Sequence, residues 1–202
     1  MIYHHIPWNK NKCIGTAYNE ILKIHKDEDW VTVMDADAMH TTNDWYEELE
    51  NAIQKFPKAK GFGSRTNRAR SLNQLLSGID LDNHNISYQR KLGAYMAKSF
   101  KGQVTPHFDK QYAGHFSGLW FAFHVGTMKE INGFYTSGSQ QLTDNYFHAN
   151  LLEQGHEFYI LDSIYVYHWY RANEEYPQFQ PIKKALTERQ FNGVRLVSEV
   201  KK

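Results

Sequence analysis

The five residues Trp30-Val31-Thr32-Val33-Met34 run straight into Asp35-Ala36-Asp37, and this junction constrains the chain more than any other stretch. The apolar, β-branched run predicts a strand buried on both faces, as in α/β sheets covered by helices on each side. In an open α/β sheet the ligand lies just past the carboxyl ends of the strands, and the two acids stand there. In extended backbone, carboxylates two positions apart point the same way, about 7 Å from one another. Two hard oxygen ligands on one side suit a divalent cation, and such a cation suits a diphosphate. The plainer use of an Asp-x-Asp string is that one carboxylate caps the next helix or faces solvent.

The remaining sequence supplies partners for such a strand. Ile2–Ile6 reads as a strand ended by Pro7, and Gly15–Lys26 as a helix with Ala17, Ile21, Leu22 and Ile24 at helical spacing. Thr41-Thr42-Asn43-Asp44 is a cluster of N-cap residue types opening a helix that runs to about Phe56. Gly61–Ser64 reads as a short strand, followed by the polar turn Arg65-Thr66-Asn67-Arg68. Ser71–Ile79 and Ile86–Phe100 read as helices, and Lys101–Gly114 as a long connection or lid. Ser117–Val125 predicts a strand, and Thr127 a cap for a short helix, Met128–Ile131, that Asn132-Gly133-Phe134 ends. Tyr135–Gln141 reads as a loop, and Thr143 as the cap of a helix over Asp144–Gln154 that Gly155 closes. Glu157–Tyr170 holds two strand-like runs, and the tail one amphipathic helix near Ile182–Phe191. With no repeat and no linker in 202 residues, the expected fold is α/β, a Rossmann-like mixed sheet flanked by helices, as one domain over residues 1–202.

The charge balance, 23 Lys+Arg against 22 Asp+Glu, gives no electrostatic reason to expect a nucleic acid or an anionic membrane surface as partner. No apolar run reaches the roughly 20 residues of a membrane span. The start, MIYHHIPWNKNK, lacks the apolar core of a secretory signal, and the single cysteine, Cys13, leaves no internal disulfide. Together these predict a cytoplasmic location.

Several residues invite a role at the Asp35–Asp37 site. His168 follows a β-branched and aromatic run, and its imidazole suits a third position on a divalent ion; the other reading is a strand histidine bonded to backbone. Arg171 could take phosphate oxygens two at a time. Asp144, at the first turn of a helix, is placed either to act as general base on an acceptor hydroxyl or simply to complement the helix dipole. Lys12, and Arg65 with Asn67 of the polar turn, offer contacts to phosphate or ribose, or are solvated loop residues. Trp120, Trp169 and Tyr170 could stack on a sugar or base. The sequence has no G-x-x-x-x-G-K-[ST] loop, G-x-G-x-x-G, Cys–Cys metal spacing or G-x-S-x-G elbow.

In their order these features resemble glycosyltransferase family 2 and related GT-A enzymes. Asn11-Lys12-Cys13-Ile14-Gly15-Thr16-Ala17-Tyr18-Asn19 resembles their N-x-G-x-x-x-A-x-N stretch, with slightly altered spacing. Val31–Asp37 resembles their strand ending in D-x-D, and Asn132-Gly133-Phe134 stands for their G-G-F-type turn. Thr143-Asp144-Asn145 is similar to the E-D motif whose Asp is the base in inverting members, and His168 to the late histidine that completes the metal site in some GT-A enzymes. Members usually begin with a strand ending in P-x-Y-N, a helix, and a strand ending in D-D-G-S, which bind the base. The resemblance is therefore to a shortened form lacking most of that nucleotide-binding segment, with Ile6-Pro7-Trp8-Asn9 as a compressed remnant. It implies a GT-A-like fold and a metal-dependent glycosyltransferase. The donor would be a nucleoside-diphosphate sugar of UDP or GDP type, and the acceptor an unknown glycan or other hydroxyl. Asp37 and His168 would bind Mn²⁺ or Mg²⁺, Asp35 would contact the metal or the ribose, and Asp144 would be the base. The alternative is a non-catalytic nucleotide- or sugar-binding module of the same fold.

Overall fold

The computed structural model describes residues 1–69, 71–76, 78–80, 82–109, 115–136 and 142–169. Their elements, in chain order, are β1 (Ile2–His5), α1 (Ile14–Ile24), β2 (Trp30–Met34), β3 (Ala38–His40), α2 (Trp45–Lys55), β4 (Ala59–Thr66), a 3₁₀ turn (Leu72–Gln74), α3 (Ile86–Ser99), β5 (Val104–Pro106), β6 (Trp120–His124), α4 (Val125–Glu130), α5 (Thr143–Glu153) and β7 (Glu157–His168). The strands form one mixed sheet in the order β1-β2-β6-β4-β7-β3, with β5 added on β7. β1 is parallel to β2 and β4 to β7, while β6 runs antiparallel to both of its neighbours.

Side-chain alternation explains why β2, apolar but for Thr32, is buried throughout. Val31 and Val33 enter a core with Tyr18, Ile21 and Leu22 of α1 and Phe147 and Leu151 of α5. Trp30 and Met34 enter a second core with Leu49 and Ala52 of α2. β6 divides in the same way, Phe121 and Phe123 to the first core, Trp120 and Ala122 to the second. Each large apolar side chain buried in this manner contributes about 1.5–3 kcal/mol, so a strand with no polar face is held between two helical layers.

β7 is one strand of 12 residues rather than the two expected runs. Its pairing with β4 steps from Ser64↔Leu161 to Arg65↔Tyr165, which leaves Asp162-Ser163-Ile164 as a bulge. The bulge reverses the alternation: Tyr159 and Leu161 face the second core before it, Ile164 and Val166 after it. Beyond the bulge, Tyr165 packs with Leu92 and Met96 of α3 in a third cluster.

The expected helix over Ser71–Ile79 is reduced to the 3₁₀ turn. There Gln74 spends its amide on Ser117, donating to its carbonyl at 3.1 Å and accepting from its N–H at 2.8 Å, and Leu75 bridges to Thr66. The cap residues also differ from expectation. Thr41 and Thr42 donate their hydroxyls to the carbonyls of Tyr165 (2.7 Å) and Ser163 (3.2 Å) instead of capping α2. His124, not Thr127, caps α4, its Nδ1 accepting the Thr127 N–H at 3.2 Å. Thr143 ties to the Tyr135 carbonyl at 3.3 Å. The Lys101–Gly114 connection carries β5, and its residues 110–114, the loop residues 137–141 and the tail helix near Ile182–Phe191 lie outside the described residues. Among the described residues no helix is long and apolar enough to cross a membrane.

Candidate metal centre and its cleft

β2 ends at Met34, and the chain turns immediately. The Asp35 N–H donates to the Leu119 carbonyl at 2.9 Å, and the Ala38 N–H closes back on the Asp35 carbonyl at 3.0 Å. Asp35 and Asp37 therefore sit in a tight turn, not in the extended backbone that the sequence suggested. The chain re-enters the sheet as β3, with Ala38 opposite His168 of β7. The Trp169 N–H donates to the Asp37 carbonyl at 2.8 Å, which pins the end of β7 to the turn. As a result His168 Nε2 lies 3.3 Å from Asp37 Oδ1 and 3.8 Å from Asp35 Oδ2. One ligand atom from each of the three falls within 4.8 Å of the others.

The surroundings of His168 decide which nitrogen faces the acids. Its Nδ1 is 3.0 Å from the Arg68 carbonyl, which can only accept, so Nδ1 carries the proton and Nε2 is turned to the carboxylates. Ligating histidines are oriented in this way by an outer carbonyl. Asn67 fixes the same residue from the other side: its Oδ1 accepts the His168 N–H at 2.8 Å and its Nδ2 donates to the His168 carbonyl at 3.2 Å. Burial pushes the Asp35 carboxyl up to about 6; the Asp37 and Asp144 charges add to that, and His168 opposes it. The His168 ring, its Nε2 3.3 Å from Asp37 Oδ1, holds Asp37 below the usual carboxylate range. Two carboxylates and an imidazole nitrogen so close together could hold a metal ion.

The three residues line a cleft of about 600 Å³. Asp144, on the first turn of α5, lines it too, as do Tyr18 and the Pro7–Asn9 segment with Lys12. Asp144 is held from below: the Gly118 N–H donates to Oδ2 at 2.7 Å and the Asn145 N–H to Oδ1 at 3.0 Å. A Cβ at Gly118 would lie 2.9 Å from the Asp144 Cβ, so only glycine allows this approach. Two of the motif stretches also grip each other. Asn19 donates to the Phe134 carbonyl and accepts the Phe134 N–H, both at 2.8 Å. No protein-family model and no curated protein matches the chain. The site therefore has to be read from its own geometry.

That geometry corrects several sequence expectations. Arg65 is not a turn residue facing a phosphate: it lies within β4, is buried, and pairs with Asp162 at 2.6 Å, with further hydrogen bonds to Thr105 and the Asn73 carbonyl. Asn67 is likewise buried and occupied by the His168 backbone, not by a ribose. Trp120 is fully buried in the second core and offers no stacking face. Trp169 is partly exposed against His84, with ring centroids 5.0 Å apart. Lys12 does line the cleft, from a left-handed backbone position at φ 58°. Tyr170 and Arg171 lie outside the described residues. Sequence reasoning missed Tyr18 and the exposed Trp8 as cleft residues; only their places in the Asn11–Asn19 and Ile6–Asn9 stretches pointed to them.

Proposed function

We propose that the chain is a metal-dependent glycosyltransferase of GT-A type, moving a sugar from a nucleoside-diphosphate sugar of UDP or GDP type to a hydroxyl acceptor. The observation that carries this is the meeting of Asp35, Asp37 and His168 in a cleft that Asp144 also lines. These three residues would hold a Mn²⁺ or Mg²⁺ ion, which would neutralise charge on the departing diphosphate. Lys12 stands where it can meet the diphosphate. In an inverting transfer the bond from the sugar C1 to the diphosphate breaks as the acceptor oxygen bonds to C1. The acceptor proton then goes to the Asp144 carboxylate. The Gly118 and Asn145 amides fix that carboxylate in place.

One observation favours the alternative, a binding module without catalysis. Both Asp144 oxygens already accept backbone N–H groups, as a purely structural helix-start carboxylate does. The same experiment tests both readings. The protein is incubated with a panel of UDP- and GDP-sugars, Mn²⁺ and a mixture of candidate acceptors, and released nucleoside diphosphate is measured. Release that stops with a chelator and in Asp37→Ala, with the fold intact, is the expected result. Full activity in Asp37→Ala would sink the metal assignment, and binding without release would favour the module.

A further inference from the structure

Tyr18 is 3% exposed, and its ring is locked edge-on to Phe121 at 5.6 Å and tilted on Phe134 at 4.8 Å. These contacts are ones a phenylalanine would make equally well. Its hydroxyl has no hydrogen-bond partner among the described residues, yet the side chain lines the cleft. The hydroxyl is not sealed from solvent, so water in the cleft can meet it until a ligand group that accepts its hydrogen bond takes that place. Burial, then the charges of Asp35 and Asp144, keep the phenol well above its ordinary pKa, so it is present as the O–H donor.

We propose that the Tyr18 hydroxyl contacts the sugar of the bound donor, donating a hydrogen bond to one of its hydroxyls and so selecting for the glycosyl unit. This rests on the function proposed above. The chemistry around Tyr18 favours a neutral polyol over the diphosphate. A carboxylate accepts hydrogen bonds and repels a phosphate, whereas the phenol donates. A sugar hydroxyl can satisfy both, accepting from Tyr18 while donating to an acid. The diphosphate would be met instead by a metal ion held by Asp35, Asp37 and His168, and by Lys12.

The test compares the native protein with Tyr18→Phe by calorimetric titration in Mn²⁺. The probes are UDP, GDP, UDP-glucose, UDP-galactose, UDP-N-acetylglucosamine and GDP-mannose, and melting of both proteins is recorded without ligand. Tyr18→Phe is expected to melt no lower than the native protein and to bind the plain nucleoside diphosphate unchanged. It is expected to lose about tenfold of the affinity that the attached sugar adds. Four results would overturn the inference. The sugar increment could survive in Tyr18→Phe, or the variant could melt lower with all probes weakened alike, which would make the hydroxyl an internal tie. The native protein could bind the nucleotide and gain nothing from a sugar, in which case the metal–nucleotide reading stands alone. If no nucleotide binds the native protein at all, both readings fall.

Discussion

At the scale of single residues, the side chains behind the site carry as much of its geometry as the ligands. Asn67 meets both backbone polar groups of the buried His168. Asn67→Ala leaves them unpaired, and is expected to cost about 1–3 kcal/mol by urea denaturation. It should also weaken Mn²⁺ binding by about 10–100-fold, measured by titration. Arg65 gives a contrasting case. Removing it strands Asp162 as a lone buried charge, so Arg65→Met should destabilise by about 3–5 kcal/mol, while Arg65→Met with Asp162→Leu should recover much of the loss. A phosphate-binding Arg65 would instead leave unfolding unchanged in both variants. The error about Arg65 was physical in origin. Arg65-Thr66-Asn67-Arg68 has the polarity of a solvated turn, and its partner sits 97 positions away. The signal was Asp162, a single acid inside the apolar run from Phe158 to Val166, which calls for a buried cation.

At the scale of elements, what was legible was whatever local pattern dictates. β2 stands where the sequence put it, because a run of that length with Thr32 as its one polar side chain has only the interior to go to. The helices α1, α2, α3 and α5 also fall close to their expected spans. β3 was invisible: Ala-Met-His has no period of its own, and the strand exists only because β7 offers it an edge. The bulge in β7 was hidden for the same reason, since nothing in FYILDSIYVY marks a change of face without β4 beside it. The turn after α4 can be tested directly. Gly133 has φ +73°, and a Cβ there would meet Asn19 Oδ1 at 2.5 Å. Gly133→Ala is expected to lose at least the ~1–2 kcal/mol of a left-handed non-glycine residue. The Asn19 clamp on Phe134 would be displaced as well, and a lowered melting temperature checks the prediction.

At the scale of the whole molecule, histidine burial sets the response to acid. Burial foremost holds His40 and His107 down to about 4. His4, His5, His84, His124 and His156 are lowered as well, again by burial first. In the unfolded chain these groups take up protons near their ordinary pKa of about 6.5, whereas the folded chain resists until lower pH. The unfolded state then binds more protons, so stability falls as pH drops from about 6.5 toward 4. Asp35, raised to about 6, acts in the opposite direction over part of that window, but it is one group against several. The urea midpoint is expected to fall steadily between pH 7 and pH 4.5, and a flat profile would contradict the assignment. The β3–β7 pairing reaches further, into how the protein is made. A ribosome releases Asp35 and Asp37 before His168, and among the described residues β3 pairs in the sheet with β7 alone. Until β7 emerges and docks, the two acids form an ordinary hydrated turn. A nascent chain thus completes the Asp35–Asp37–His168 cluster only once β7 has been made, and a chain cut off before β7 would lack it.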